Sequence, residues 1–230
     1  MKAFPCAFPS VWRCSAATVL AVLSLAVASG RAQERQSHGV AFERWVRDTF
    51  FEGYTPEGYT QKWDIPAEEN RQHGRIPVNP KAAKFRGPVD LGDALRQFDI
   101  HEPFWLVIGY WRFEGGARRM VRISAIRVEP EAWRALWEPL TRADLEKLDA
   151  VIKDRSLTPE QARAAAQSLK NQPPYTGARM TLNPKIDSRT QRRLQCSLRF
   201  DVLFDQLAAP DADRSEQSRP VLWGVPWPGF

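Results

Sequence analysis

Two of the three cysteines, Cys6 and Cys14, fall within the first 14 of 230 residues, which leaves Cys196 without an intramolecular partner in the rest of the chain. A framework of disulfides is therefore excluded for that part. Only three histidines are present, His38, His73 and His101, and no metal-site spacing links them. The chain has no Walker-type phosphate loop, dinucleotide-binding glycine fingerprint, paired zinc-ligand cysteines or Gly-x-Ser-x-Gly elbow. Several large enzyme classes drop out with them. Long hydrophobic runs are also missing. The longest apolar stretch, Ala16–Ala28, is too short for a span of roughly 20 residues.

That stretch has the form of a secretory leader over residues 1–32. Lys2 and Arg13 supply the positive end, and Ala26-Val27-Ala28 or Gly30-Arg31-Ala32 offers a small-residue cleavage site. Export is one expectation. A start codon assigned too far upstream, with a cytoplasmic protein, is the other. Lys2, Arg13 and Arg31 face no acid in this region, so they account for three of the six net positive charges and residues 33–230 carry +3. Apolar content of 43% and nine tryptophans argue for one folded domain. We place it at residues 38–207, followed by a flexible tail, 208–230, rich in Pro, Asp, Ser and Gly.

Periodicity outlines the elements. Val40–Phe51 sets Phe42, Trp45, Val46, Thr49 and Phe50 at helical spacing, with Glu43, Arg44, Arg47 and Asp48 opposite. Tyr59–Ile65 reads as a short strand, Ile76–Asn79 as an extended piece and Pro88–Phe98 as a helix. Phe104–Arg112 and Met120–Val128 read as strands joined at Gly115-Gly116. Three helices follow, at Trp133–Trp137, Arg142–Lys153 and Pro159–Lys170. Thr176–Leu182 is mostly extended, and Ser188–Leu207 is expected to close the domain as a helix with Ser188 as its cap. This order predicts a mixed α/β fold with a small central sheet flanked by helices.

The residues suited to chemistry lie in Trp63-Asp64-Ile65-Pro66 and in Ile76-Pro77-Val78-Asn79-Pro80-Lys81. An acid on one strand followed by a polar residue and a lysine at the end of the next resembles the PD-(D/E)xK nuclease superfamily, to which many restriction endonucleases belong. The region from Gly39 to Leu207, including Asn183 through Gln195, looks like type II restriction-endonuclease-like proteins. In this resemblance Asp64 matches the first acid, Lys81 the lysine and Glu43 the acid of the first helix. Asn79 stands where the family normally has Asp or Glu, a departure that removes one negative charge. The resemblance implies a restriction-endonuclease-like fold and Mg²⁺-dependent hydrolysis of double-stranded DNA. It assigns Asp64, Asn79, Pro80 through its carbonyl, and Glu43 to the metal, and Lys81 to the attacking water and the phosphoryl charge. A homodimer and a cognate DNA methyltransferase are the further partners it implies.

Each of these residues also has a bland reading. Asp64 suits a turn, Glu43 a solvated helix face, Asn79 its own turn, and Lys84 competes with Lys81. Asp90 and Asp93 suit the N-terminal end of the helix expected there, with Asp90 held in reserve as a metal ligand. Tyr175–Phe200 carries six basic residues against Asp187 alone, enough to neutralise phosphates. We expect DNA contacts from Lys185, Arg189, Gln191, Arg192, Arg193 and Gln195. Two alternatives stay open: a non-catalytic exported binding domain, and a DNA-binding protein of nuclease fold with an inactive site.

Overall fold

From Phe104 to Tyr110 almost every residue is apolar, as expected of a strand covered on both faces. The computed structural model, which describes residues 41–56, 58 and 61–229, places that segment at the centre of a sheet. Strand β1 (Val78–Lys84) pairs in parallel with β3 (Phe104–Glu114), from Val78 opposite Trp105 to Lys84 opposite Trp111. β3 turns back into β4 (Ala117–Val128) through Gly115 and Gly116, whose φ values of 60° and 84° give the left-handed pair that a tight hairpin needs. The order β1-β3-β4 makes a small mixed sheet.

Alternation along β3 divides the core. Leu106, Ile108 and Tyr110 enter a larger cluster, and Val107, with half-buried Trp105, enters a smaller one on the opposite face. The larger cluster is shared with an antiparallel sheet in the order β2-β6-β5, formed by β2 (Val89–Asp93), β5 (Thr181–Ile186) and β6 (Arg192–Leu198). It also takes in Trp133 of α3 (Pro130–Ala135) and buried residues of two longer helices, α4 (Arg142–Lys153) and α5 (Pro159–Lys170). Both helices begin with reciprocal capping boxes, Thr141 with Asp144 and Thr158 with Gln161. The architecture is mixed α/β, with small sheets flanked by helices.

The smaller cluster seats a helix over residues 41–50, α1, on the first sheet. Phe42 and Val46 are fully buried, and Phe42 lies over Gly109 of β3. A Cβ at position 109 would stand 2.7 Å from Phe42 Cδ2 and 2.9 Å from Met120 Cε. Side-chain absence at this one point sets how closely α1 approaches the sheet.

The structure corrects several expectations. The Pro88–Phe98 segment is strand β2 followed by a short helix, α2 (Ala94–Phe98), because Asp93 caps the helix by accepting from Arg96 N at 2.9 Å. Ser188–Leu207 is not one helix. Leu194, Cys196 and Leu198 alternate into the core as strand β6, and only Phe200–Gln206 (α6) is helical. Ser188 Oγ instead accepts from the amides of Thr190 and Gln191 in the β5–β6 turn.

The segment after residue 207 is not a loose tail. Gln217 N donates to Val121 O at 2.7 Å, its side chain accepts from Ile123 N, and Arg112 grips Glu216 with both carboxylate oxygens within 2.8 Å. Beyond it a small hairpin of β7 (Val221–Leu222) and β8 (Val225–Pro226) buries Leu222 and sets Trp223 flat against His73 at 3.8 Å. The leader region and Tyr59–Thr60 of the expected strand lie outside the described residues; its remainder, 61–65, is not a strand and holds only the single bridge of Ile65 to Val78. Among the described residues no helix is long and apolar enough to cross a membrane.

We expect Gly109→Ala to destabilise the protein by about 1–3 kcal/mol, the usual cost of overpacking. Chemical denaturation measures it, and combination with Phe42→Leu should restore part of the loss. Equal stabilities of wild type and Gly109→Ala would mean that α1 is free to move away from β3.

Candidate active site

Strand β1 forms one edge of its sheet, and its backbone polarity can be followed residue by residue. Trp105 N donates to Pro77 O at 2.8 Å, so alternate carbonyls from Pro77 onward face β3. Val78 N and O instead bond Ile65, at 2.8 and 3.1 Å, on the outer side. By the same alternation Pro80 presents its carbonyl outward. The absent N–H of proline falls where no ladder partner is lost.

The bridge between Ile65 and Val78 sets Asp64 opposite Asn79. Asn79 and Lys81 then share one face of β1, two residues apart. The side chains follow. Lys81 Nζ donates to Asp64 Oδ2 at 2.6 Å, with both groups partly shielded from solvent. Asn79 is buried, and its side chain makes no hydrogen bond to another described residue. Glu43, one position after Phe42 on α1, completes the group electrostatically. Burial raises its carboxyl above the ordinary 4.5, the Lys81 ammonium pulls it down, and the Asp64 carboxylate pushes it up. The seat of Phe42 on Gly109 is what carries Glu43 to this edge.

Two carboxylates, one amide and one outward carbonyl are all hard oxygen donors, the set Mg²⁺ prefers while keeping several waters. Lys81 holds one oxygen of Asp64 and leaves Oδ1 available. Among the described residues no group of three or more His, Cys, Asp and Glu could hold a metal. Asn79 standing in an acid's place accounts for that, since the cluster has only Glu43 and Asp64. Asp90 is elsewhere: it sits on β2 beside an irregularity in the pairing, accepting from Gly92 N at 3.1 Å. Lys84 lies exposed at the end of β1, three residues past Lys81.

The residues expected to meet DNA are split by the hairpin that replaces the expected helix. Lys185 and Arg193 face each other across β5 and β6, Arg189 and Gln191 are exposed at the turn, and Gln195 lies further along β6, half-buried. Arg193 pairs with Asp187 at 3.3 Å. Arg192 is withdrawn altogether. It is 8% exposed, and its guanidinium donates to Leu157 O at 2.8 Å, to Asp154 O and, more distantly, to Ile152 O. Its task is to satisfy carbonyls at the C-terminal end of α4 and in the α4–α5 loop. That removes Arg192 from the expected DNA contacts.

Arg122 escaped the sequence reading. It is buried at 6% exposure, donating to Ser124 Oγ at 2.9 Å, Ser215 O at 2.7 Å and the backbone of Asp213. Its strand alternation, Val121-Arg122-Ile123, was the available signal, but alternation alone puts arginine outside. No protein-family model, curated protein or solved structure matches the chain.

Replacing Arg192 with alanine should destabilise the protein by about 1–3 kcal/mol through orphaned buried carbonyls, read by urea denaturation. An unchanged midpoint would return Arg192 to the surface. Glu43 gives a pH-dependent test. A carboxyl raised in the folded state binds its proton there while the unfolded chain has already lost it. Stability is therefore lost as pH climbs from the ordinary glutamate value through the raised one. Glu43→Gln lacks that loss, so its stability relative to wild type should grow across this window and level off above it. A pH-independent difference would contradict the raised carboxyl.

Proposed function

We propose that the chain is a metal-dependent endonuclease of restriction-endonuclease-like fold that hydrolyses phosphodiester bonds in double-stranded DNA with Mg²⁺. The observation that carries this reading is the 2.6 Å contact of Lys81 with Asp64 at a sheet edge, with Glu43 coupled to both. A helix bearing one acid, an antiparallel bridge beside the second and a lysine within the bridged strand support the reading, although β1 runs three residues past Lys81 to Lys84.

Asp64, Glu43, the Asn79 amide oxygen and the Pro80 carbonyl would hold the ion. When bound, Mg²⁺ lowers the pKa of its water and neutralises the phosphate. Lys81 orients the attacking water and places positive charge beside the phosphoryl oxygens as negative charge builds on them. Asp64, through its ion pair, fixes where that ammonium sits. Asn79 positions oxygen without adding charge, so the ion is held less tightly than by three carboxylates. Sequence specificity, a homodimer and a cognate methyltransferase belong to this same proposal.

A second reading, a nuclease-fold DNA-binding protein without cleavage, is favoured by Asn79 alone. Plasmid nicking by the purified protein in Mg²⁺ separates the two. Cleavage should vanish in Asp64→Asn, which keeps a hydrogen-bond acceptor for Lys81, and fall by about 10²–10³-fold in Lys81→Ala, as when one preorganised charge is lost. Nicking by Asp64→Asn at the wild-type rate would remove this site from the reaction. No nicking by wild type, with DNA still bound, would favour the second reading.

A further inference from the structure

Two depressions lie side by side at the C-terminal end of β1 and share Arg86. One, of about 630 Å³, has Arg86, Arg199 and Arg214 around it and Phe200 and Pro88 in its wall. Its neighbour, of about 450 Å³, is flanked by Lys84 and Arg112. Five cationic side chains border this groove; Arg112 and Arg214 pair with Glu216 and Asp205 at 2.7 Å, and Arg199 meets Asp201 at 3.4 Å in a pair exposed on both sides. Lys84 and Arg86 are exposed, and neither forms an ion pair with a described residue. Arg86 stands over the Phe85 ring at 5.6 Å.

The aromatic wall is held in place. Phe200 meets Tyr110, Phe85 and Phe204 with ring centres 5.3, 5.7 and 4.7 Å away, and what remains of its surface faces the groove. A rigid ring beneath a rim of arginines suits a ligand that alternates flat apolar groups with anions. Small inorganic anions would use the rim and leave the ring idle. A paired duplex would offer phosphates but keep its bases stacked inside. A single strand offers both, and proteins that bind one combine a cationic groove with aromatic platforms.

We propose that this groove binds single-stranded DNA, with phosphates along Lys84, Arg86 and Arg199 and a base against Phe200. The proposal goes beyond the hydrolytic reading and does not rest on it. Lys84 is three strand residues from Lys81, about 10 Å at the usual rise. Three residues is an odd step along a strand, so the Lys84 side chain leaves β1 on the face opposite Lys81.

The test is binding of the full chain to a fluorescein-labelled 20-mer of deoxythymidylate, and to a 20-bp duplex, over a range of salt concentrations in EDTA. Chelation stops hydrolysis, so this result stands apart from nicking. Arg86→Gln with Arg199→Gln should reduce the salt slope for the single strand by about 1.4, from about 0.7 per neutralised phosphate. Arg86→Lys with Arg199→Lys should keep the slope, and Arg127→Gln with Arg155→Gln, two exposed positions outside the groove, should leave it unchanged. Phe200→Leu should weaken single-strand affinity about tenfold, within the range measured for losing one stacked base. Circular dichroism and thermal melting confirm that each variant is folded. A double glutamine variant with the wild-type slope for the single strand overturns the proposal, as does a folded Phe200→Leu variant with wild-type single-strand affinity.

Discussion

Phe42 can lie on the central strand only because residue 109 has no side chain, and much of the molecule follows from that contact. It sets the height of α1 above the first sheet, fills the smaller core together with Val46, Val78 and Val107, and receives Trp227 at 5.8 Å from the C-terminal segment. It also puts Glu43 beside a lysine and an aspartate that arrive from other elements. A core contact with no chemistry of its own thus decides where a carboxylate stands. The cost is electrostatic, because Glu43 is taken partly out of water next to another acid and is disfavoured in its charged form. A divalent cation between the two carboxylates would reverse that penalty.

What could be read from the sequence depended on whether one local pattern dominated. Arg142–Lys153 and Pro159–Lys170 were legible to the residue because each begins with a threonine cap and a reciprocating partner three residues later, followed by a clean amphipathic face. The β3–β4 hairpin was legible from its apolar run and paired glycines. Ser188–Leu207 was not, because its arginines, glutamines and leucines satisfy helical spacing while Leu194, Cys196 and Leu198 satisfy alternation. Tertiary pairing with β2 and β5 decided for the strand. The tail misled for a different reason. Its composition is that of a loop, but Leu222, Trp223 and Trp227 are spaced to reach a surface that only the folded first sheet and α1 provide.

The candidate site was more legible in its membership than in its charge distribution. Asp64, Asn79 and Lys81 were picked out by the family resemblance, and in the structure one bridge and one strand period set them on the same face. Charge counting over Tyr175–Phe200 could not tell a cation that meets solvent from one that serves the backbone. Arg192 is spent on loop carbonyls and Arg122 on the C-terminal segment, whereas Lys84 and Arg86, outside the charge-rich stretch, remain exposed. Burial sorts arginines by what they reach, and reach is a property of the fold.

The two borders of the first sheet end differently, and both endings matter for how the protein behaves at high concentration. A bare strand border invites pairing with the border of another molecule. Along β1, Ile65 occupies one outward position and the next is Pro80, which cannot donate, so an incoming strand would find its hydrogen-bond ladder interrupted. Along β4, Gln217 and the arm around Arg122 already use the outward groups of Val121 and Ile123. The C-terminal segment is therefore a built-in guard against intermolecular sheet growth. A chain cut after Leu207 would keep every residue of the Asp64–Lys81 site yet leave an open, largely apolar border, so its first defect would be insolubility.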